Sequence, residues 1–378
     1  MKTVLVHDWL YSLSGAEKVL EVMYKLFPSK VYTLIYNKKK RHQFSIAEED
    51  IATSFIQRLP LSASLYPYYL PLFPFAIEAF DLSKADVVLS SSSCVAKGVL
   101  THSRQLHICY CHTPMRAAWD LYFDCLKSHN IGKGLKGIMT RLFLHKIRNW
   151  DLLHASRVDY FVANSCYVAK RIEKTYRKKA TVIYPPVDCE YFYADSFSDE
   201  GFYITAGRLV PYKKVDLIVK AFSELTSKRL LILGEGPELA RLKTLASKNI
   251  EFLGYVSDEE LKDYFRRAKA FIYMACEDFG LLPVEAQAAG LAVIAYGQGG
   301  VVETVISHKT GILFPHQTVA SLKEAIKTFE SVESSFDRRG IQDHAKQFSK
   351  ERFEQAFKIF VQEKYEAFVG EDPYFSRG

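Results

Sequence analysis

Short apolar runs alternate along this chain with stretches in which apolar residues recur near helical spacing. Runs that stop at polar or glycine residues predict buried strands, and recurrence near 3.6 residues predicts amphipathic helices. In the first half the runs place strands at Thr3–His7, Val31–Ile35, Asp86–Ser90, His107–Cys111, Tyr160–Ala163 and Thr181–Tyr184. Ser14-Gly15-Ala16-Glu17 reads as a capping box, Ser at the helix entry and Glu three residues on. Val19, Leu20, Val22, Met23, Leu26 and Phe27 then give that helix an apolar face. The pattern stops at Tyr184-Pro185-Pro186-Val187-Asp188 and a polar stretch, Ala194–Gly201. It restarts with strands at Phe202–Ala206, Arg229–Gly234, Glu251–Leu253, Ala270–Met274, Ala292–Ala295 and Gly311–Phe314, again separated by helical segments. Alternation of this kind predicts α/β architecture with parallel sheets. The expected division is a first domain over 1–195, a second over 196–360 and a tail over 361–378, the final helices being candidates to pack back on the first domain.

The length of 378 residues suits two domains, and 48% hydrophobic with 25% charged residues suits a folded globular chain. No run approaches the ~18 apolar residues of a spanning helix. The nearest, Leu65–Ile77, is broken by Pro67, Pro71 and Pro74. The first ten residues meet charge too early for a signal peptide, so the chain is expected in the cytosol. Seven cysteines without a C-x-x-C pair read as buried small apolar groups, not as a metal cage or disulfide framework.

Charge changes the picture more. The net charge of +7 divides into +9 over residues 1–195 and −2 over the remainder. Cys125–Trp150 is densest, with Lys127, Lys133, Lys136, Arg141, Lys146 and Arg148 and no acidic residue. Leu135, Ile138, Met139, Leu142, Phe143 and Ile147 recur near helical spacing within it. Two readings stay open: an amphipathic helix on anionic lipid headgroups, or a solvated helix covering the core. No recognised nucleic-acid motif accompanies the charge.

Three constellations carry candidate chemistry. In Glu277-Asp278-Phe279-Gly280-Leu281-Leu282-Pro283-Val284-Glu285, a strand ends, a glycine loop follows, and Pro283 is expected to open a helix that Gly290 closes. Glu277 then sits at the carboxyl side of a strand, where open α/β sheets bind ligands. Glu285 falls in the expected first turn, and the N–H groups of Gly280, Leu281 and Leu282 stand free for an anion. The plainer reading is that Glu285 only complements the helix dipole. Gly207-Arg208-Leu209-Val210-Pro211-Tyr212-Lys213-Lys214-Val215-Asp216 also follows a strand, and Arg208 with Lys213 could neutralise a diphosphate. A solvated basic loop is its plainer reading. In Cys111-His112-Thr113-Pro114-Met115-Arg116, His112 follows a first-domain strand, and a satisfied structural histidine is the plainer reading there. Gly15, soon after the first strand, permits close backbone approach to a ligand.

Together these stretches resemble the retaining glycosyltransferases of family 4, which have the GT-B fold of two facing Rossmann-like domains. Glu277 and Glu285 match that family's Glu-x7-Glu motif, and Gly207–Asp216 its G-R-L-x-x-x-K-G-x-D signature, with Lys214 where glycine is usual. His112–Pro114, Asn164-Ser165, Val182–Asp188, Gly234–Glu238, Gly299-Gly300 with Glu303, and Thr310-Gly311 fit as well. Within the family, the stretch from His112 to Arg116 with Trp119-Asp120 looks most like mannosyltransferases of surface polysaccharide and O-antigen assembly.

The resemblance implies a nucleoside-diphosphate sugar as donor, with GDP-mannose as lead and UDP-hexoses next, and no metal cofactor. Glu285 would bind the ribose, Glu277 the transferred sugar, and Arg208 and Lys213 the diphosphate, helped by Gly15 and by the amides of Gly280, Leu281 and Leu282. Backbone at Tyr255 and Val256 would read the base, and His112 would reach the donor sugar. The acceptor would be a glycan or lipid-linked saccharide on the first domain, at an anionic inner membrane face met by Lys133, Lys136, Arg141 and Lys146, with no nucleic acid involved. A dinucleotide oxidoreductase fits less well, since no G-x-G-x-x-G follows the first strand. A sugar-nucleotide epimerase or phosphorylase of the same fold, and a silent nucleotide-sugar-binding subunit, also compete with the transferase reading.

Overall fold

The structure, a computed structural model, describes residues 1–123, 126 and 134–371. Lys127 and Lys133 of the basic segment lie outside the described residues. The chain forms two compact units, Met1–Pro186 joined by the segment from Phe353 onward, and Val187–Arg352.

The first unit holds seven parallel strands, β1 (Thr3–His7), β2 (Val31–Thr33), β3 (Ile51–Thr53), β4 (Val87–Ser92), β5 (Leu106–Cys111), β6 (Tyr160–Ala163) and β7 (Ala180–Val182). Their spatial order is β3-β2-β1-β4-β5-β6-β7. β4 and β5 are buried throughout, as central strands of a two-sided parallel sheet must be. Alternate side chains feed opposite faces: Leu5 and Leu89 join Leu20 and Ile108, while Val6 and Val88 join Phe73, Ile77, Leu144 and Ile147. Helix α1 (Gly15–Leu26) follows β1 and buries Val19, Leu20, Val22 and Met23, the expected face.

Helix α2 (Gly134–Ala155) turns Leu144, Ile147, Asp151 and Ala155 inward. Beneath it Lys97 and Asp151 form a fully buried ion pair. Burial, the largest single influence, would lower the Lys97 pKa, but the Asp151 charge and hydrogen bond together with nearby Cys111 and Cys109 more than offset it and raise it. Asp151 also accepts from Trp119 Nε1 and the Tyr176 hydroxyl, both at 2.8 Å, so the pair leaves little polar capacity unmet. Most of the apolar residues that the spacing marked out are not buried. Leu135, Ile138, Met139 and Leu142 are 75, 56, 59 and 54% exposed, on a helix that also exposes Lys136, Arg141 and Lys146. Arg148 lies apart from these cations: its Nε donates to the Ala118 carbonyl at 2.8 Å and its guanidinium stacks on Tyr122.

The second unit holds six parallel strands, β8 (Phe202–Ala206), β9 (Arg229–Leu233), β10 (Ile250–Gly254), β11 (Ala270–Tyr273), β12 (Val293–Tyr296) and β13 (Gly311–Phe314), in the order β10-β9-β8-β11-β12-β13. Helix α3 (Val215–Glu224) packs Ile218, Val219 and Phe222 with Tyr203, Ile232, Ile272 and Ile294. Both sheets therefore reverse their winding next to the first strand, between β1 and β4 and between β8 and β11. Such a switch point opens a crevice at the carboxyl ends of the strands.

Three expectations need correction. The boundary lies at Pro186/Val187, not at 195/196, because Val187 pairs with Ser349 and Val187–Phe192 packs within the second unit. Residues 361–371 are not a tail. They continue the helix Lys350–Glu371, and Phe353, Phe357, Phe360 and Val361 are buried in the first unit's core. β3 adds a strand the pattern does not predict, because Ile51–Thr53 is three residues at a sheet edge, half-buried or exposed, with no apolar run to mark it.

Candidate functional site

In the second unit, β8 and β11 deliver their following loops to one end of the sheet. After β8 the chain turns at Gly207, whose φ is +129°, and a Cβ there would lie 3.1 Å from Lys213 Nζ and 3.2 Å from Leu282 Cδ1. Glycine lets the backbone fold under both side chains. Lys213 Nζ stands 3.3 Å from Glu277 Oε1, and the Tyr273 hydroxyl donates to Glu277 Oε2. One carboxylate is thus held by a lysine from the β8 loop and a tyrosine from β11. Behind it, Gly300 N–H donates to the Glu277 carbonyl at 2.9 Å. A Cβ at Gly299 would come within 2.4 Å of that oxygen, so the loop after β12 closes on Glu277 only with glycine there.

Helix α4 (Leu281–Ala288) begins at this point, with Gly280 as N-cap in the left-handed region at φ +87°. It starts two residues before the expected Pro283, so Glu285 lies beyond the first turn, buried, with no acidic residue in that turn. Gly280, Leu281 and Leu282 are the N-cap and first two helical residues, and first-turn N–H groups have no carbonyl a turn earlier to bond. Their dipole end adjoins the Lys213–Glu277 pair through Leu282 and Gly207. The site assembled here is a cation and a helix N-terminus beside a carboxylate, an arrangement whose positive groups can meet an anion and whose carboxylate can accept from hydroxyls.

The other expected residues are placed less centrally. Arg208 is exposed, and its guanidinium makes no hydrogen bond or ion pair among the described residues. Tyr255, 78% exposed, and half-buried Val256 follow β10 at the same sheet end. Lys214, standing where glycine is usual, adopts the left-handed conformation at φ +55°. A lysine thus occupies backbone space that favours glycine. Sequence reasoning does not single out Tyr273, although its place as the last residue of a strand is the available signal.

In the first unit the switch point gathers more than the single histidine expected. His112, half-buried just after β5, has its Nε2 2.8 Å from Ser91 Oγ. Ser91 is fully buried, and its carbonyl and hydroxyl oxygens each lie 3.1 Å from His7 Nδ1. His7 Nε2 is 3.7 Å from Glu17 Oε1, while Glu17 Oε2 accepts the Ser14 N–H at 3.1 Å. Burial, aided by the nearby His7, pushes the His112 pKa down to about 4. For Glu17, burial raises the carboxyl but His7 and Ser14 more than offset it, and the pKa is lowered. Next to His7, the Asp8 carboxylate accepts the N–H groups of Ser93, Cys94, Val95 and Ala96 at 2.6–2.9 Å and fixes the loop after β4. Gly15 is the first residue of α1, behind the Ser14–Glu17 contact.

Among the described residues, no three His, Cys, Asp or Glu side chains are grouped to hold a metal ion, and no helix is long and apolar enough to cross a membrane.

Comparison with known proteins agrees with this layout. Residues 28–191 match the family model for Glycosyltransferase Family 4, and residues 193–350 the model for Glycosyl transferases group 1. An uncharacterized glycosyltransferase of Methanocaldococcus jannaschii is 29% identical over 51% of this chain and 55% of its own length. A GDP-mannose-dependent alpha-(1-6)-phosphatidylinositol monomannoside mannosyltransferase of Mycobacterium tuberculosis is 26% identical over 51% of this chain and 60% of its own. The chain thus spans about half the length of the curated relatives it matches. Anabaena HepE, solved in complex with UDP, superposes with a TM-score of 0.70 over 96% of this chain and 100% of its own, at 16% identity. The fold is therefore GT-B, two Rossmann-like parallel-sheet domains. With both units matched in order over residues 28–350, the chain belongs to the glycosyltransferases that join a family 4 domain to a group 1 domain.

Proposed function

We propose that this protein is a retaining hexosyltransferase, moving mannose from GDP-mannose to a glycan or lipid-linked acceptor in surface-polysaccharide synthesis. The observation that carries the reading is the convergence of Lys213, Glu277 and the α4 N-terminus at the β8/β11 switch point. As the bond between the sugar's anomeric carbon and the diphosphate oxygen breaks, negative charge grows on the diphosphate. Lys213 and the amides of Gly280–Leu282 are aimed where that charge develops, and one such preorganised donor is worth about 3–4 kcal/mol. Arg208, whose guanidinium has no partner among the described residues, reaches the same diphosphate. Glu277 takes the hydroxyls of the transferred sugar and Glu285 those of the ribose. The acceptor hydroxyl attacks the anomeric carbon on the face the diphosphate leaves, and the leaving phosphate oxygen takes its proton, so configuration is retained. This chemistry needs no metal from the protein.

The choice of GDP-mannose leans on the mycobacterial mannosyltransferase, whose name states that donor. The UDP complex of HepE favours a second reading, transfer from a UDP-hexose. A thermal-shift panel separates them: the true donor and its nucleoside diphosphate stabilise the protein, by about 2.7 kcal/mol at a hundredfold excess over Kd, and the others do not. Arg208→Ala and Glu285→Ala each lower transfer at least about tenfold, roughly 1.4 kcal/mol, and near-normal kinetics in either would remove these roles.

The exposed apolar residues of α2 with Lys136, Arg141 and Lys146 support a peripheral seat on an anionic bilayer. In vesicle flotation at low salt, binding rises with the fraction of anionic lipid. Equal binding to neutral vesicles would contradict it.

A further inference from the structure

The hydrogen-bond chain behind His112 fixes which of its nitrogens is available. A carbonyl oxygen only accepts, so His7 Nδ1, 3.1 Å from the Ser91 carbonyl, carries a hydrogen. That nitrogen therefore cannot accept from the Ser91 hydroxyl. Ser91 is fully buried, and among the described residues its hydroxyl has one remaining hydrogen-bond neighbour able to accept, His112 Nε2 at 2.8 Å. The reverse assignment, with His112 Nε2–H donating to Ser91, would leave the buried hydroxyl hydrogen without an acceptor, a loss of about 1–3 kcal/mol. On the far side, Glu17 Oε1 lies 3.7 Å from His7 Nε2, and this carboxylate backs the ring so that Nδ1 faces Ser91.

We propose that Glu17 and His7 are positioning residues that act through the Ser91 hydroxyl to hold His112 as its Nδ1–H tautomer. With Nε2 engaged inside the protein, His112 presents a hydrogen-bond donor to a ligand oxygen and is not a general base. The ligand-facing half of this rests on the reading above, in which His112 meets the donor sugar. The internal half stands on the geometry of four residues from β1, α1, β4 and the end of β5. The groups around the ring agree with it. Tyr110 lies edge-on at 5.2 Å, and Asn164 Nδ2 donates to the His112 carbonyl at 3.0 Å, so neither competes for Nε2. His112 Nδ1 has no hydrogen bond among the described residues. The lowered pKa of His112 keeps the ring neutral at physiological pH, as a donor of this kind requires.

The test is nitrogen-15 NMR of the full-length chain labelled at histidine, with His112 assigned by its loss in His112→Gln. The expected wild-type spectrum shows an unprotonated Nε2 and a protonated Nδ1. Ser91→Ala should convert this into exchanging tautomers and lower kcat about fivefold, the worth of one neutral hydrogen bond, with little change in KM. Glu17→Gln, which keeps an oxygen for the Ser14 N–H, should move the tautomer ratio the same way. His7→Asn, whose side-chain amide can still donate toward the Ser91 carbonyl, should restore part of the wild-type ratio relative to His7→Ala. A protonated Nε2 in the wild type, or an unchanged ratio in Ser91→Ala, overturns the proposal. Transfer by His112→Ala is read separately: undiminished activity there would take His112 out of the donor site and overturn the ligand-facing half, whatever the spectra show.

Discussion

The two units share a strand order and place polar side chains at the same topological point, yet they handle charge in opposite ways. In the first unit the switch point is buried: His7 contacts Ser91 and Glu17, the amides after β4 satisfy Asp8, and only His112 is part-exposed. In the second, Lys213 and Glu277 stay partly open to solvent at 14 and 21% exposure, and Arg208 stands exposed. A buried network costs desolvation that its hydrogen bonds must offset, and in return it holds one geometry. An open cation holds less geometry but is ready to neutralise an incoming anion. The first arrangement suits orientation, the second suits charge stabilisation.

The contrast is broken most severely at Lys213. Lys213→Ala should lower kcat by about 10²–10³, while the urea midpoint stays close to wild type, because a partly exposed ion pair adds little stability. A large fall in the midpoint with modest loss of transfer would mean that the pair is structural. Next comes acid. Burial lowers His107 to about 4, and burial with the neighbouring His7 lowers His112 to about 4, from an ordinary 6.5. Between those values the unfolded chain binds protons that the folded one does not, so stability falls as pH drops from 6.5 toward 4. His107, fully buried, contributes up to about 3 kcal/mol, and part-exposed His112 less. Glu17, with its lowered pKa, adds a loss in the same direction at more acid pH. The second unit has His308 and His316 exposed and His344 half-buried, and should be less sensitive. The three tryptophans, Trp9, Trp119 and Trp150, all belong to the first unit, so their fluorescence reads its urea midpoint alone. Hydrogen exchange of peptides from 187–352 gives the comparison, and an equal response in both units would refute it. The smallest effect is at Lys214. Lys214→Gly should stabilise the chain by about 0.5–1 kcal/mol, as left-handed strain is relieved against added backbone entropy, and a thermal melt would register it.

How much of this was legible in the sequence follows from what periodicity encodes. Central strands such as β5 and β8 are apolar runs broken only by His107 and Thr205, and they fall where the pattern puts them, within a residue or so. Lys213, Glu277 and Gly280 are legible because strand ends and glycine loops mark the carboxyl edge of a parallel sheet. The start of α4 is misplaced because Pro283 tolerates the third helical position as well as the first, having no N–H to lose in either. His7, Glu17 and Ser91 cannot be joined to His112 from one sequence, since they are up to 105 positions apart and meet only through strand pairing. On α2, apolar spacing alone does not say which residues face the core, because the inward stripe runs through Leu144, Ile147 and Asp151.

Phe353, Phe357, Phe360 and Val361 fill a core whose other members were made more than 160 residues earlier. During synthesis the first unit therefore emerges with an open apolar face that no upstream residue can close, and the second unit is complete before it. The order of completion is the reverse of the order of translation, and a chain released at residue 352 would present that face to chaperones and proteases for its whole lifetime.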